Sequence, residues 1–213
     1  MQVHIKFASQ QHVHYAEEIC ELIEEAAHQR GTGIARRDPE YIKNKLRSGN
    51  GVIALDQGKL AGFCYIEVWE NKKYVANSGL IVHPDYRGIG LAKKIKAKAF
   101  ELSRKKYPDS KLFGITTSLP VMKINSDLGY KPVTFSELTQ DETFWEGCQS
   151  CPNYDILTRN NKTNCLCTGM VFDPLHPDNQ PKKEREKKIA KYYRWVRLKS
   201  AKYLRYLNPV KMF

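Results

Sequence analysis

The stretch Leu80-Ile81-Val82-His83-Pro84-Asp85-Tyr86-Arg87-Gly88-Ile89-Gly90-Leu91-Ala92 constrains the fold of this chain more than any other. An apolar run ends at His83-Pro84, a turn carrying Arg87, Gly88 and Gly90 follows, and from Leu91 onward apolar residues recur at helical spacing. A strand, a glycine loop and a helix N-terminus therefore follow one another. The first amides of a helix have no intrahelical acceptor and lie at the positive end of its dipole, so such a junction suits phosphate. Glycine lets the backbone approach an anion with no Cβ in the way. A dinucleotide-binding turn would read G-x-G-x-x-G and a P-loop G-x-x-x-x-G-K-[ST]; neither pattern is present.

Strand and helix patterns alternate along the rest of the chain. Residues 2–7 alternate as a strand, and from His12 to Arg30 apolar residues recur at helical spacing. Asp38-Pro39 sets a capping residue before a proline suited to the first helical position, which starts a helix running to about Arg47. Residues 52–55 and 60–70 flank Asp56-Gln57-Gly58-Lys59, a hairpin signal, and residues 74–82 form a third strand. A helix from Leu91 to about Tyr107, a buried strand over 111–117 and a short helix over 119–128 closed by Gly129 come next. Residues 131–137 and 165–172 read as the last strands, with a short helix near 141–147 between them. The pattern predicts an α/β (α+β) fold: a mixed central sheet of about seven strands with helices on both faces.

The order Arg87-x-x-Gly90-x-Ala92, directly after a strand ending Val82-His83-Pro84, resembles the pyrophosphate-binding loop of the GNAT acyltransferases, which move acyl groups from coenzyme A to amines. The element order is similar to theirs as well. The resemblance implies an acetyl-CoA or other acyl-CoA co-substrate held by Ile81, Val82, His83, Arg87, Gly88, Ile89, Gly90, Leu91 and Ala92, with Ser118 and Asn125 contributing from the later helix. It places pantetheine where the strand 79–83 diverges from 111–117, with a backbone amide near Ile81 or Val82 polarising the thioester carbonyl. Gly79 marks either a bulge or a packing contact there. A closer resemblance runs through Gly62-Phe63-Cys64-Tyr65-Ile66-Glu67 and residues 115–119, 124–135 and 144–151. These look like a bacterial GNAT branch associated with arginine biosynthesis, which implies an N-acylglutamate product over roughly residues 1–175.

One departure from the family stands out. Many members carry, four residues before the glycine of a G-F or G-Y pair, a tyrosine that protonates the leaving thiolate. The pair here is Gly129-Tyr130, and Asn125 holds that position. An amide cannot be a general acid, which leaves Ser126, Tyr130 or solvent as substitutes. Glu67, on a strand face shared with Phe63, Tyr65 and Trp69, is the candidate base; a salt-bridged strand carboxylate is the competing reading. Arg36 and Arg37, in the segment between the first two helices, suit a substrate carboxylate because a guanidinium can bind one bidentately.

Six cysteines occur. Cys148-x-x-Cys151 and Cys165-x-Cys167 could supply four thiolates to a structural zinc, tying a cysteine-containing insertion at 138–164 to the last strand. A reduced thiol cluster is the alternative. The net charge of +12 is concentrated near the C-terminus, where residues 182–213 carry twelve Lys and Arg against two Glu. That segment follows a proline-rich linker at 174–181 and reads as a basic amphipathic helix, docked on its own domain 1–173 or on a second subunit in a homodimer. Nucleic acid is the less favoured partner. No run of 18 apolar residues and no basic-then-apolar leader is present, so the expectation is a cytoplasmic protein without a membrane contact.

Together these features predict an N-acyltransferase that joins an acetyl or succinyl group to the amine of a small amino acid, glutamate foremost, by direct attack on the thioester. Two alternatives remain: a protein N-terminal or lysine acetyltransferase of the same fold, and an acyl-CoA sensor without turnover that uses its basic tail to meet a partner.

Overall fold

The computed structural model describes residues 2–31 and 34–176. The basic segment 182–213 and most of the proline-rich linker lie outside the described residues, and with them the expected docking of that helix.

A seven-stranded sheet has the order β1-β2-β3-β4-β5-β7-β6, with β1 Val3–Phe7, β2 Gly51–Asp56, β3 Lys59–Trp69, β4 Tyr74–Val82, β5 Lys111–Thr116, β6 Lys131–Val133 and β7 Thr168–Phe172. Every neighbouring pair is antiparallel except β4 and β5. The helices are α1 Ala16–Arg30, α2 Pro39–Arg47, α3 Leu91–Lys106, α4 Leu119–Asp127, α5 Glu142–Glu146 and α6 Tyr154–Arg159. Helices α1 and α2 pack Ile19, Ile23, Ile42 and Leu46 on one face, against Ile53, Phe63 and Tyr65. Helix α3 packs Leu91, Ile95, Ala99 and Leu102 on the other, against Val52, Cys64, Ile66 and Val75. The expected mixed sheet with helices on both faces is thus the architecture.

Local chemistry explains most element ends. Asp38 caps α2 by accepting from the amides of Glu40 and Tyr41, as its position before Pro39 predicts. The β2–β3 hairpin turns on Gln57 and Gly58, both at positive φ, which matches the right-handed twist of the strands it joins. The sequence reading overextends elsewhere. The strand expected over 131–137 stops at Val133, and Phe135–Glu137 is a single 3-10 turn that buries the Phe135 ring. Pro132 has no amide to give a ladder and is tolerated because β6 is an edge strand. The last strand begins at Thr168 instead of 165, and the first helix is preceded by a 3-10 segment over Gln10–Tyr15. Helix α6 was not foreseen.

Two irregularities shape the middle of the sheet. The register of β3 with β4 shifts between Phe63 and Tyr65, opposite Gly79 at φ +62°. A Cβ there would stand 2.5 Å from the Tyr65 ring, so both the backbone conformation and the packing demand glycine. Gly79 is therefore at once the bulge and the packing contact. Further, β4 pairs with β5 only through Tyr74, Val75 and Ala76, while β5 goes on pairing with β7 as far as Thr116. The sheet opens from Asn77 onward. The segment 134–167, which includes α5 and α6, covers that side with a third cluster built on Phe113, Phe135, Leu138, Trp145 and Leu157. No helix among the described residues is long and apolar enough to cross a membrane.

Candidate active site

The glycine loop and the first turn of α3 line one side of a groove of about 460 Å³; the start of α4 lines the other. Gly88 and Gly90 have φ of +82° and +76°, and a Cβ on either would meet nothing within 4 Å, so the loop's surface toward the groove is bare backbone. Gly90 caps α3 in the left-handed conformation. The first turn of α3 carries no acidic residue. Arg87 is exposed beside it, donating from Nε to the Val82 carbonyl at 3.3 Å and from Nη1 to Gln29 Oε1 at 3.3 Å. An electropositive helix end with bare amides is a receptor for an anion.

Of the residues expected to bind coenzyme A, Ile81, Val82, Arg87, Gly88, Gly90, Leu91, Ala92 and Ser118 line this groove together. His83 and Ile89 do not. The His83 ring caps the turn Pro84–Tyr86, its Nδ1 accepting from the Asp85 amide at 3.3 Å, and Ile89 points outward, half exposed. Asn125 lies elsewhere.

A second cavity, of about 580 Å³, fills the opening between β4 and β5 and shares Leu80, Ile81 and Val121 with the groove. The α1–α2 segment and the 134–167 segment enclose its far side, where the Arg36 amide donates to Ser150 Oγ at 2.9 Å. The two arginines differ there. Arg36 is exposed and reaches Glu24 at 3.3 Å. Arg37 turns inward, donating from Nε to the Tyr65 hydroxyl at 2.7 Å and from Nη1 to the carbonyls of Ala35 and Arg36. Burial opposes its charge, but Tyr65, Tyr41 and Glu67 outweigh that and hold the guanidinium protonated.

Glu67 lines the same cavity. Its Oε1 accepts from the Tyr41 hydroxyl at 2.6 Å and is ion-paired with Lys45. This carboxylate thus faces the cavity and is salt-bridged at once. Burial raises the Tyr41 hydroxyl far above the usual tyrosine range, with Tyr65 and Glu67 adding to the effect, so it donates to Glu67 without ionising.

On the α3 side the cavity floor is polar and buried. The Asn77 amide donates to Ser103 Oγ at 2.8 Å, and the Tyr130 hydroxyl donates to Asn77 Oδ1 at 2.9 Å. Lys96 Nζ donates to the Asn77 carbonyl at 3.3 Å, and Lys96 is 2% exposed. Asn125 faces this floor with its Nδ2 on Met170 Sδ and its Oδ1 buried without a partner. Tyr41, Lys45, Asn77 and Lys96 were missed from the sequence. The available signal for Lys96 is the row Ala92, Lys96, Ala99, Ser103, which recurs at helical spacing beside the apolar stripe of α3.

The expected zinc site is not built. Cys148, Cys151, Cys165 and Cys167 are half-buried free thiols on the cavity wall, and no three His, Cys, Asp or Glu side chains among the described residues converge to hold a metal ion. Cys148 and Cys151 flank a tight turn, while Cys167 hydrogen-bonds Cys165. Burial first and the neighbouring thiols second push Cys148 up to about 11 and Cys167 upward as well, which leaves both protonated at neutral pH.

Residues 16–117 match the model of the acetyltransferase (GNAT) family. Among solved structures, the chain is similar to N-acetylglutamate synthase from Neisseria gonorrhoeae complexed with coenzyme A and N-acetyl-glutamate. The TM-score is 0.59 at 19% identity, covering 83% of this chain and 36% of that one. It therefore spans only about a third of that enzyme's length. It is also similar to Rv2747 from Mycobacterium tuberculosis in complex with CoA, at TM-score 0.57 and 16% identity over 80% of this chain and 98% of that one. A third similar structure is yncA, a putative acetyltransferase from Salmonella typhimurium with acetyl-CoA, at TM-score 0.56 and 12% identity over 83% and 96%. At these identities the structures speak for the fold. No curated protein matches the chain.

Proposed function

We propose that the chain is an acyltransferase of the acetyltransferase (GNAT) family, whose model residues 16–117 match, and that it moves an acetyl or succinyl group from acyl-CoA to the α-amine of a small acidic amino acid, glutamate foremost. The observation that carries this reading is the pair of joined cavities. A groove floored by the N-terminus of α3 leads past Leu80, Ile81 and Val121 into a chamber bearing the half-buried guanidinium of Arg37. Pyrophosphate sits on the loop amides, pantetheine follows the open edge of β4, and the thioester arrives where the sheet has parted. The bulge at Gly79 supports an amide at Ile81 or Val82 facing the thioester carbonyl, because it breaks the ladder just ahead of those residues.

The acceptor enters from the α1–α2 side. Arg37, fixed by Tyr65 and two carbonyls, grips a carboxylate. Glu67 faces the acceptor's ammonium. Ion-paired with Lys45, it orients the ammonium, whose proton passes to solvent. Attack is direct: burial keeps Cys148 and Cys167 protonated, and a thiol is a poor nucleophile. The N-acetylglutamate synthase named above supports the acceptor class, as a protein solved with N-acetyl-glutamate.

The test is release of free coenzyme A thiol from acetyl-CoA and from succinyl-CoA, each against glutamate, ornithine and lysine. Glutamate-dependent release is expected, and the better donor identifies the acyl group. Silence with every acceptor while coenzyme A remains bound would overturn the proposal in favour of a protein acceptor or a sensor.

A further inference from the structure

Direct attack leaves a coenzyme A thiolate in the chamber, and the position at which the GNAT resemblance implies a tyrosine acid holds Asn125, whose amide is no acid. Tyr130 does not fill the vacancy: its hydroxyl donates to Asn77 Oδ1, and burial raises it well above the usual tyrosine range. Lys96 lines the same chamber. We propose that Lys96 is the catalytic acid of this site, delivering a proton from Nζ to the departing sulfur.

The geometry points to it in three ways. Lys96 projects from α3 onto Asn77, the first residue of β4 beyond its pairing with β5, so the amine lies at the floor of the opening into which pantetheine is directed. An ammonium has three N–H donors, and the bond to the Asn77 carbonyl at 3.3 Å uses one. No carboxylate among the described residues pairs with it; the titratable groups facing it are Cys64 from β3 and Tyr130 beyond α4, whose ring lies 5.6 Å away. The partnerless Asn125 Oδ1 is a second buried polar atom on this chamber, as expected of a surface completed by a ligand. Burial also lowers the pKa of Lys96, which makes its ammonium a readier acid.

The step balances. The acceptor nitrogen bonds to the thioester carbon, and the collapsing adduct breaks the C–S bond with the electron pair going to sulfur. Sulfur takes a proton from Lys96 Nζ, giving coenzyme A thiol and a neutral amine. Lys96 regains a proton from solvent, while the proton displaced from the acceptor leaves to solvent.

This inference rests on the acyltransferase reading, and the experiment separates the two. The thiol of bound coenzyme A is titrated by its thiolate absorbance in wild type, Lys96→Met and Lys96→Arg, with coenzyme A affinity measured alongside and kcat taken with the amine the acceptor panel identifies. A cation beside the sulfur should depress the bound thiol by about one pH unit or more in wild type and in Lys96→Arg, and Lys96→Met should restore the free value. Both variants should lose about 100-fold or more in kcat with KM for acyl-CoA unchanged, because arginine keeps the charge but holds its proton. A bound thiol that titrates as the free one in wild type, or full kcat in Lys96→Arg, overturns the assignment of Lys96. That second criterion stands even if Lys96→Met fails to fold. Wild type that binds no coenzyme A overturns the acyltransferase reading itself.

Discussion

Arg36 and Arg37 are adjacent and chemically identical, yet one is exposed against Glu24 and the other is locked inward by Tyr65. The sequence showed the pair; the difference arises from a tyrosine 28 residues away on β3, which no local pattern reveals. The two side chains therefore have unequal roles toward a substrate carboxylate. Lys at position 37 keeps the charge but loses the fork, so Arg37→Lys should raise KM for the amino acid by about tenfold or more, in line with about 1.5–3 kcal/mol for a charged hydrogen bond, and spare KM for acyl-CoA. Arg36→Ala should change neither by more than about twofold, as befits an exposed ion pair. Steady-state kinetics with both substrates varied distinguishes these outcomes, and equal effects at the two positions would refute the assignment. Lys96 shows the same limit of sequence reading. A lysine in a helix called amphipathic is assigned to solvent by default, and only the parting of β4 and β5 shows that it faces a cavity.

At the scale of elements, contiguous signals were legible and distributed ones were not. Asp38-Pro39, Gln57-Gly58 and the loop at 87–90 each carry their turn or cap in adjacent residues, and each forms as the sequence predicts. The overlong strand at 131–137 and the unforeseen α6 belong to the segment whose structure depends on burying Phe135, Trp145 and Leu157 against the sheet. The junction of β5 with β7 offers a test by pH. Lys111 Nζ meets Asp173 Oδ2 at 3.1 Å, and Asp173 Oδ1 accepts the Leu175 amide at 3.0 Å. Burial pushes the Asp173 carboxyl up, but the Leu175 amide and the Lys111 ammonium outweigh it and leave it below the usual range. A carboxylate with a lowered folded pKa stabilises the protein above its unfolded pKa and loses that contribution as pH falls through the folded value. Asp173→Asn should therefore be less stable than wild type near neutral pH, by about 1 kcal/mol for a partly exposed pair, and converge with it in acid once the pH is below the folded pKa of the carboxyl. Urea unfolding at the two pH values checks this; a difference that persists in acid would assign the effect to packing.

Over the whole molecule, a mixed sheet with helices on both faces follows from the alternation of periods in the sequence; the order of the strands within the sheet comes only from the structure. The joined cavities do not follow from that alternation either, because they result from a parallel pairing that ends after three residues and from a segment folded over the gap. The central claim is that this passage receives acyl-CoA with its pyrophosphate on the α3 loop. Gly90 tests it with little damage to the fold, since aspartate and asparagine tolerate its left-handed conformation better than other side chains and nothing lies within 4 Å of the position. The measurement is calorimetric titration of acetyl-CoA into wild type, Gly90→Asn and Gly90→Asp. The account predicts binding by wild type, weaker binding by Gly90→Asn, and at least about 100-fold weaker binding by Gly90→Asp, which sets a carboxylate against the pyrophosphate. Equal affinity in all three would place coenzyme A elsewhere and contradict the account.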